Sequence, residues 1–151
     1  MFEKKEIHFM FSKISEEGFY YHSYRSYPNV EKLWLCDMLR IKSGDYGFGK
    51  IGNVFLNKIY RNTLKNLIIF SGFTLFKELE ILSKSPFLTE IILHTAVKNE
   101  NDEPSPIEEI MVLLPNLKVF GISPSNFTME SFNKLLEFKF SNKFEKLYFE
   151  L

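Results

Sequence analysis

Cysteine is almost absent. Cys36 stands alone, so no internal disulfide can form, and a cytoplasmic or nuclear location is expected. An excess of one charge is absent too. Nineteen Lys and Arg balance nineteen Asp and Glu, which leaves no electrostatic footprint for nucleic acid or an anionic membrane. No stretch nears the roughly eighteen consecutive apolar residues of a membrane span. The charged opening, Met1 to Glu6, leads into too short an apolar run for a secretion signal. The sequon Asn126-Phe127-Thr128 is therefore read as a chance match. Histidine is scarce, and His8, His22 and His94 have no metal-ligand spacing to one another or to Cys36. No Ser-His-Asp order and no paired-carboxylate motif stands out. These gaps argue against an enzyme and predict neither a cofactor nor a metal.

What is present is a globular balance: 45% apolar and 25% charged residues in a chain of 151, enough for one domain with a real core. Seventeen Phe and seven Tyr enlarge that core, because each aromatic ring buries a large area.

One phrase returns five times: apolar, two variable residues, apolar, one variable residue, apolar. It reads Val30-x-x-Leu33-x-Leu35, Leu64-x-x-Leu67-x-Ile69, Leu88-x-x-Ile91-x-Leu93, Leu117-x-x-Phe120-x-Ile122 and Phe144-x-x-Leu147-x-Phe149. A degenerate copy opens the chain with Ile7 and Phe9. Successive copies start between 24 and 34 residues apart, a period that signals a repeat architecture. Proline stands two residues ahead of the phrase at Pro28, Pro86 and Pro115, and asparagine does so at Asn62 and Asn142. A turn into a strand whose first N–H is unpaired suits proline.

Helical patterns fill the intervals. Ser105-x-x-Glu108 reads as a capping box with Pro106 at the first helical position. Ile107, Ile110, Met111 and Leu114 form its apolar stripe, and Pro115 ends it. A second helix starts near Asn126–Thr128 and is expected to bury Met129, Phe132, Leu135 and Leu136. A third runs from Thr74 to about Lys84 with Leu75, Leu79 and Leu82 inward. Asn53 would cap a fourth carrying Leu56, Ile59 and Tyr60, and a weaker one lies within Ser15–Tyr24. The polar run Asn99 to Glu103 reads as a solvated loop. Strand and helix thus alternate, which implies parallel strands with helices on one side.

The segment Leu114-Pro115-Asn116-Leu117-Lys118-Val119-Phe120-Gly121-Ile122, with the helix Thr128 to Leu136 after it, resembles a leucine-rich repeat of the longer intracellular type. Over residues 28–151 the Phe-rich, loosely spaced version is similar to the repeat-bearing C-terminal part of F-box proteins, especially the expanded nematode families. No F-box is found. The resemblance therefore implies a substrate-receptor half without its adaptor half, or a fragment. The abrupt end at Leu151, without a capping helix, points to truncation or a partner. The expected fold is α/β: a single domain over 1–151, a short leucine-rich-repeat-like solenoid arc of five or six parallel strands with helices on the convex side. The alternative is a two-layer α/β domain with a mixed sheet.

Two features compete for the function. Gly47-Phe48-Gly49-Lys50-Ile51-Gly52 resembles a glycine-rich nucleotide loop. A dinucleotide fold would need it directly after a strand, with an acid about twenty residues on, and no acid falls between Asp45 and Glu78. A kinase loop would need downstream catalytic motifs that do not occur. The second feature is the variable positions of the phrase. Side chains alternate along a strand, so Trp34, Cys36, Ile68, Phe70, Ile92, His94, Gly121, Ser123, Tyr148 and Glu150 face the open concave side. An apolar stripe there marks a binding site, unless the chain covers that face itself. The expectation is a non-enzymatic protein–protein interaction module. Trp34, Ile68, Phe70, Ile92, His94 and Tyr148 would hold a protein partner on the concave sheet face, with no nucleic acid and no membrane involved. The resemblance implies the substrate-recognition part of an F-box ubiquitin ligase; the alternative is a small phosphate- or nucleotide-binding protein using Gly47–Gly52.

Overall fold

The structure, a computed structural model, describes residues 6–10, 32–42, 56–138 and 144–149. The weak helix within Ser15–Tyr24, the glycine loop Gly47–Gly52, Asn53 and Glu150 lie outside these residues. Six strands are described: β1 (Glu6–Met10), β2 (Lys32–Lys42), β3 (Ile59–Leu75), β4 (Glu90–Lys98), β5 (Val119–Ser123) and β6 (Lys146–Phe149). They form one sheet in chain order, and every neighbouring pair is parallel. A parallel pair cannot be joined by a tight turn, so each strand must be followed by a crossover. Three described helices serve as such crossovers: α1 (Phe76–Leu82), α2 (Ile107–Val112) and α3 (Met129–Glu137). The fold is thus α/β with a parallel sheet; a mixed sheet is not what the described strands form.

The repeated phrase sets the register of the C-terminal four strands. Leu67, Ile91, Phe120 and Leu147 lie side by side, and Ile69, Leu93, Ile122 and Phe149 form the next row. Leu67, Ile69, Ile91, Leu93 and Phe120 are fully buried. They pack in one cluster with Leu79 and Leu82 of α1 and Ile107, Ile110 and Met111 of α2. Burying a side chain of this size stabilises by about 1.5–3 kcal/mol, so these two rows and the helix stripes over them are the principal source of cohesion.

Polar side chains lace the crossover between β3 and β4. Asn62, in the place two residues ahead of the phrase, donates from Nδ2 to the Leu82 carbonyl (2.9 Å). It thereby satisfies one of the carbonyls left without a partner at the end of α1. Ser85 Oγ donates to the Leu64 carbonyl (2.6 Å).

Several details depart from the sequence reading. Ile59 and Tyr60 are not helical; they open β3, where Ile59 pairs with Leu33. Branched and aromatic side chains fit a pleated surface better than a helix. Thr74 and Leu75 close the same strand, so α1 begins at Phe76 rather than Thr74. Buried Thr74 bonds its hydroxyl to that of Thr95 on β4 (3.0 Å). The capping box at Ser105 does not form. Pro106 is the N-cap of α2, and the Ser105 hydroxyl has no hydrogen-bond partner. The Ser105 N–H instead donates to the Val97 carbonyl (2.8 Å), which holds this residue against the end of β4.

The largest departure is α3. Met129 and Leu136 are 73% and 69% exposed, and Phe132 is also exposed, whereas Ser131 is buried and Leu135 half-buried. Polar anchors rotate the helix away from its apolar stripe. Thr128 Oγ1 accepts from the Ser131 N–H (3.1 Å), and Lys134 Nζ bonds Glu108 Oε1 of α2 at the same distance. Leu147, the middle apolar residue of its phrase, is 46% exposed; among the described strands β6 has a neighbour on one side only.

Candidate functional site

Opposite the helices, side chains two residues apart on each strand make an ordered array. Its central row runs Arg40, Ile68, Ile92, Gly121, Tyr148 across β2 to β6. One step toward the strand C-termini lie Phe70, His94 and Ser123; one step toward the N-termini lie Asn66, Glu90, Val119 and Lys146. With neighbouring strands about 4.8 Å apart, the row from β2 to β6 spans about 19 Å.

Ile68, Ile92 and Phe70 are half-buried, while His94 and Tyr148 are exposed. The Phe70 and His94 rings stack with centroids 4.7 Å apart and planes 9° from parallel. From the β2 side, the Arg40 guanidinium sits 5.0 Å from the Phe70 centroid, a cation–π contact. Asn66 Nδ2 donates to Glu90 Oε2 (2.6 Å), fixing that carboxylate beside the row. Burial, and secondarily the Glu90 charge, pushes the Tyr148 phenol up from its usual range. Gly121 is needed where it stands. A Cβ there would fall 2.7 Å from Cδ2 of Tyr148 and closer still to Cε2 and Cζ, so the absent side chain is what lets the ring lie across the strand.

Trp34 is not part of this row. It pairs with His8 and Arg61, while Arg40 occupies the β2 position beside Ile68. Six residues of strand separate Trp34 from Arg40, about 20 Å. The patch expected from Trp34, Ile68, Phe70 and Ile92 is thus divided in two. The shift arises because β3 runs past its phrase by five residues at its N-terminal end, from Ile59, and irregularities at Leu33/Trp34 and Asp37/Met38 reset the register. Asp37 takes a positive φ of 54°, which accommodates the second irregularity. Around Trp34 lies a separate polar group. Its Nε1 donates to Thr63 Oγ1 (2.9 Å), and the Arg61 guanidinium sits 4.1 Å from its ring centroid. Asp37 and Lys65 pair at 2.7 Å.

Sequence reasoning did not anticipate Arg40, Arg61 or Lys146 on this face. Arg40 is two residues beyond Met38 in a strand whose phrase ends at Leu35, so only the observed pairing places it beside Ile68.

The described residues offer little for covalent chemistry. Burial first, then the Asp37 charge, pushes the Cys36 thiol up, and Lys65 only partly opposes this. The thiol is therefore protonated near neutrality and a poor nucleophile. Cys36 pairs with Thr63 and His94 with Phe70, seven residues further along β3, so the two do not meet. Among the described residues no three His, Cys, Asp or Glu side chains cluster to hold a metal ion, and no helix is long and apolar enough to cross a membrane. A depression of about 330 Å³ at the carboxyl ends of β3 and β4 is lined by Leu75, Phe76, Lys77, Glu80, Lys98, Asn99 and Glu100. Its charges are of both signs. The Gly47–Gly52 loop lies outside the described residues.

No known protein family matches the chain, and neither a curated protein nor a solved structure is significantly similar to it.

Proposed function

We propose that this chain is a non-enzymatic protein–protein interaction module, a short leucine-rich-repeat-like arc that holds its partner on the sheet face opposite the helices. One observation supports this above the others: the row Arg40, Ile68, Ile92, Gly121, Tyr148 lies in register across five parallel strands, with its helices on the other side and Tyr148 43% exposed. A solvated sheet face is expected to be polar. An aliphatic pair flanked by an aromatic ring is what an interface core needs, with charge at its rim. Role as the substrate receptor of an F-box-type ubiquitin ligase is the setting implied by the sequence resemblance, and it rests on that resemblance alone.

Selection of a randomised peptide library on the immobilised protein tests the module. Sequences enriched on the wild type and lost on an Ile68→Glu/Ile92→Glu variant, with its fold verified by circular dichroism, are the expected result. Enriched sequences that bind both proteins equally place the binding surface elsewhere and overturn the reading.

A further inference from the structure

The face carries charge as well as apolar surface. On β2 to β6 its side chains include Lys32, Arg40, Arg61, Lys65, Lys98 and Lys146 against two carboxylates, Asp37 and Glu90, and Glu6 of β1 is the register partner of Lys32. Lys65 pairs with Asp37 and Lys98 with Asp102, while Glu90 accepts from the neutral Asn66 amide and keeps its charge. The whole chain has zero formal charge, so this basic excess is local and is balanced elsewhere. Within the central row the sequence of chemistry is basic, apolar, apolar, ring: Arg40 at one end, Ile68 and Ile92 in the middle, and Tyr148 at the other end with Lys146 two residues before it on β6. From the charge and the spacing we infer that the partner is an acidic protein segment that crosses the strands along this row. Its carboxylates would meet Arg40 and Lys146, and apolar side chains between them would rest on Ile68 and Ile92. This inference rests on the sheet-face reading above.

The spacing sets the size of the segment. The ends of the row are about 19 Å apart, which an extended chain covers in five or six residues. Arg40 at one end and Lys146 beside the other would fix its position and exclude basic segments, since complementary potentials govern partner choice more than raw affinity.

A single-stranded nucleic acid would also suit basic and aromatic side chains, because bases stack on open ring faces. Here the Phe70 and Trp34 rings are already engaged, and the Tyr148 ring lies with one face on Gly121. Phe70 is flanked by Arg40 from β2 and by His94 from β4, and Trp34 lies under Arg61. The middle of the row is aliphatic and offers no stacking platform. An acidic peptide fits these observations better.

Fluorescence polarisation with four labelled probes tests the inference. The first is an extended peptide with two leucines flanked at each end by aspartates. The second carries lysines for the aspartates and the third serines; the fourth is an oligothymidylate. The aspartate peptide is expected to bind. Its affinity should fall at least about tenfold in an Arg40→Glu/Lys146→Glu variant and fall again with added salt. Should that variant misfold, Arg40→Gln/Lys146→Gln gives the same comparison with a smaller loss. Serine or lysine peptides that bind as tightly, and are lost with Ile92→Glu, would overturn the acidic partner and leave the sheet-face module standing. Aspartate-peptide binding insensitive to both the charge and the Ile92→Glu substitutions would overturn both readings, as would preferential binding of the oligothymidylate. No binding of any peptide overturns the inference.

Discussion

The ring of Tyr148 lies across the backbone of Gly121, on the neighbouring strand, in the space where any other residue would place its Cβ. The two are register partners at the β6 end of the apolar row. This makes a buried glycine in a strand, normally a weak point because it adds flexibility and no packing, part of the surface that the row presents.

Gly121→Ala should therefore force the ring aside rather than break the strand, because Tyr148 is 43% exposed and has room to swing outward. Alone, the substitution should change stability little, since the β-strand gain opposes the lost contact. In a Tyr148→Ala background the same substitution should stabilise by about 0.5–1 kcal/mol. A double-mutant cycle by urea denaturation measures the coupling; additive effects would mean that the ring does not occupy that space.

Two carboxylates respond to pH in opposite senses. Burial pushes the Glu78 carboxyl up, and the hydrogen bond from the Leu75 N–H opposes this only in part. The folded state then binds this proton more tightly than the unfolded state, so stability from Glu78 falls as pH rises from the ordinary carboxylate range through its raised value. Glu108 is different: burial acts upward on it, but the Ser131 hydroxyl and Lys134 prevail and hold it below the usual range. Its contribution is present at neutral pH and is lost as pH falls through its lowered value. Glu78→Gln should gain on the wild type at pH 7 and lose that advantage toward pH 4.5. Glu108→Gln should be destabilised at pH 7, with the deficit shrinking in acid. Urea midpoints across this range check both signs.

Core and edge leucines should separate by cost. Leu93 is fully buried on β4, flanked by β3 and β5, and Leu93→Ala should cost about 2–5 kcal/mol. Leu147 occupies the equivalent side of β6 but is 46% exposed, so Leu147→Ala should cost about 1 kcal/mol. Equal losses would show that β6 is covered on its second side in solution.

The apolar stripe of α3 should tolerate charge. Met129→Glu and Leu136→Lys alter side chains that point outward and should shift stability by less than about 0.5 kcal/mol. Lys134→Ala should cost more than either, because it leaves the 9%-exposed Glu108 side chain without its cation. Thermal melts of the three variants decide the order.

Legibility in the sequence followed how local each determinant was. The rows through Leu67, Ile91 and Phe120 and through Ile69, Leu93 and Ile122 could be read because one phrase, repeated, fixes both facing and alignment. The stripe of Ile107, Ile110 and Met111 on α2, with Leu114 just after the helix, was legible for the same reason, and all four are buried. The offset of Trp34 was not legible. It depends on how far β3 extends beyond its phrase and on irregularities that change alignment without a strong signal in composition. Nor was the rotation of α3. Periodicity reveals that Met129, Phe132 and Leu136 share a face, but which face meets the sheet was decided by Thr128, Ser131 and Lys134 acting together with Glu108 on another helix. At the candidate site, the apolar members Ile68, Phe70 and Ile92 were visible from alternation, whereas Arg40 and Lys146 became neighbours of the row only through strand pairing.

The order of the strands has a consequence for how such a chain can change over time. Each described strand pairs with its neighbours in the described order, and the connecting segments already differ in length. Duplicating or deleting one whole strand-and-helix unit would require a single new junction and leave every other pairing as it was. A sheet whose neighbours come from distant parts of the chain has no such freedom. Lineages carrying this architecture can lengthen or shorten the row by whole strands, and so change the span of what it grips, while the remaining core keeps its packing.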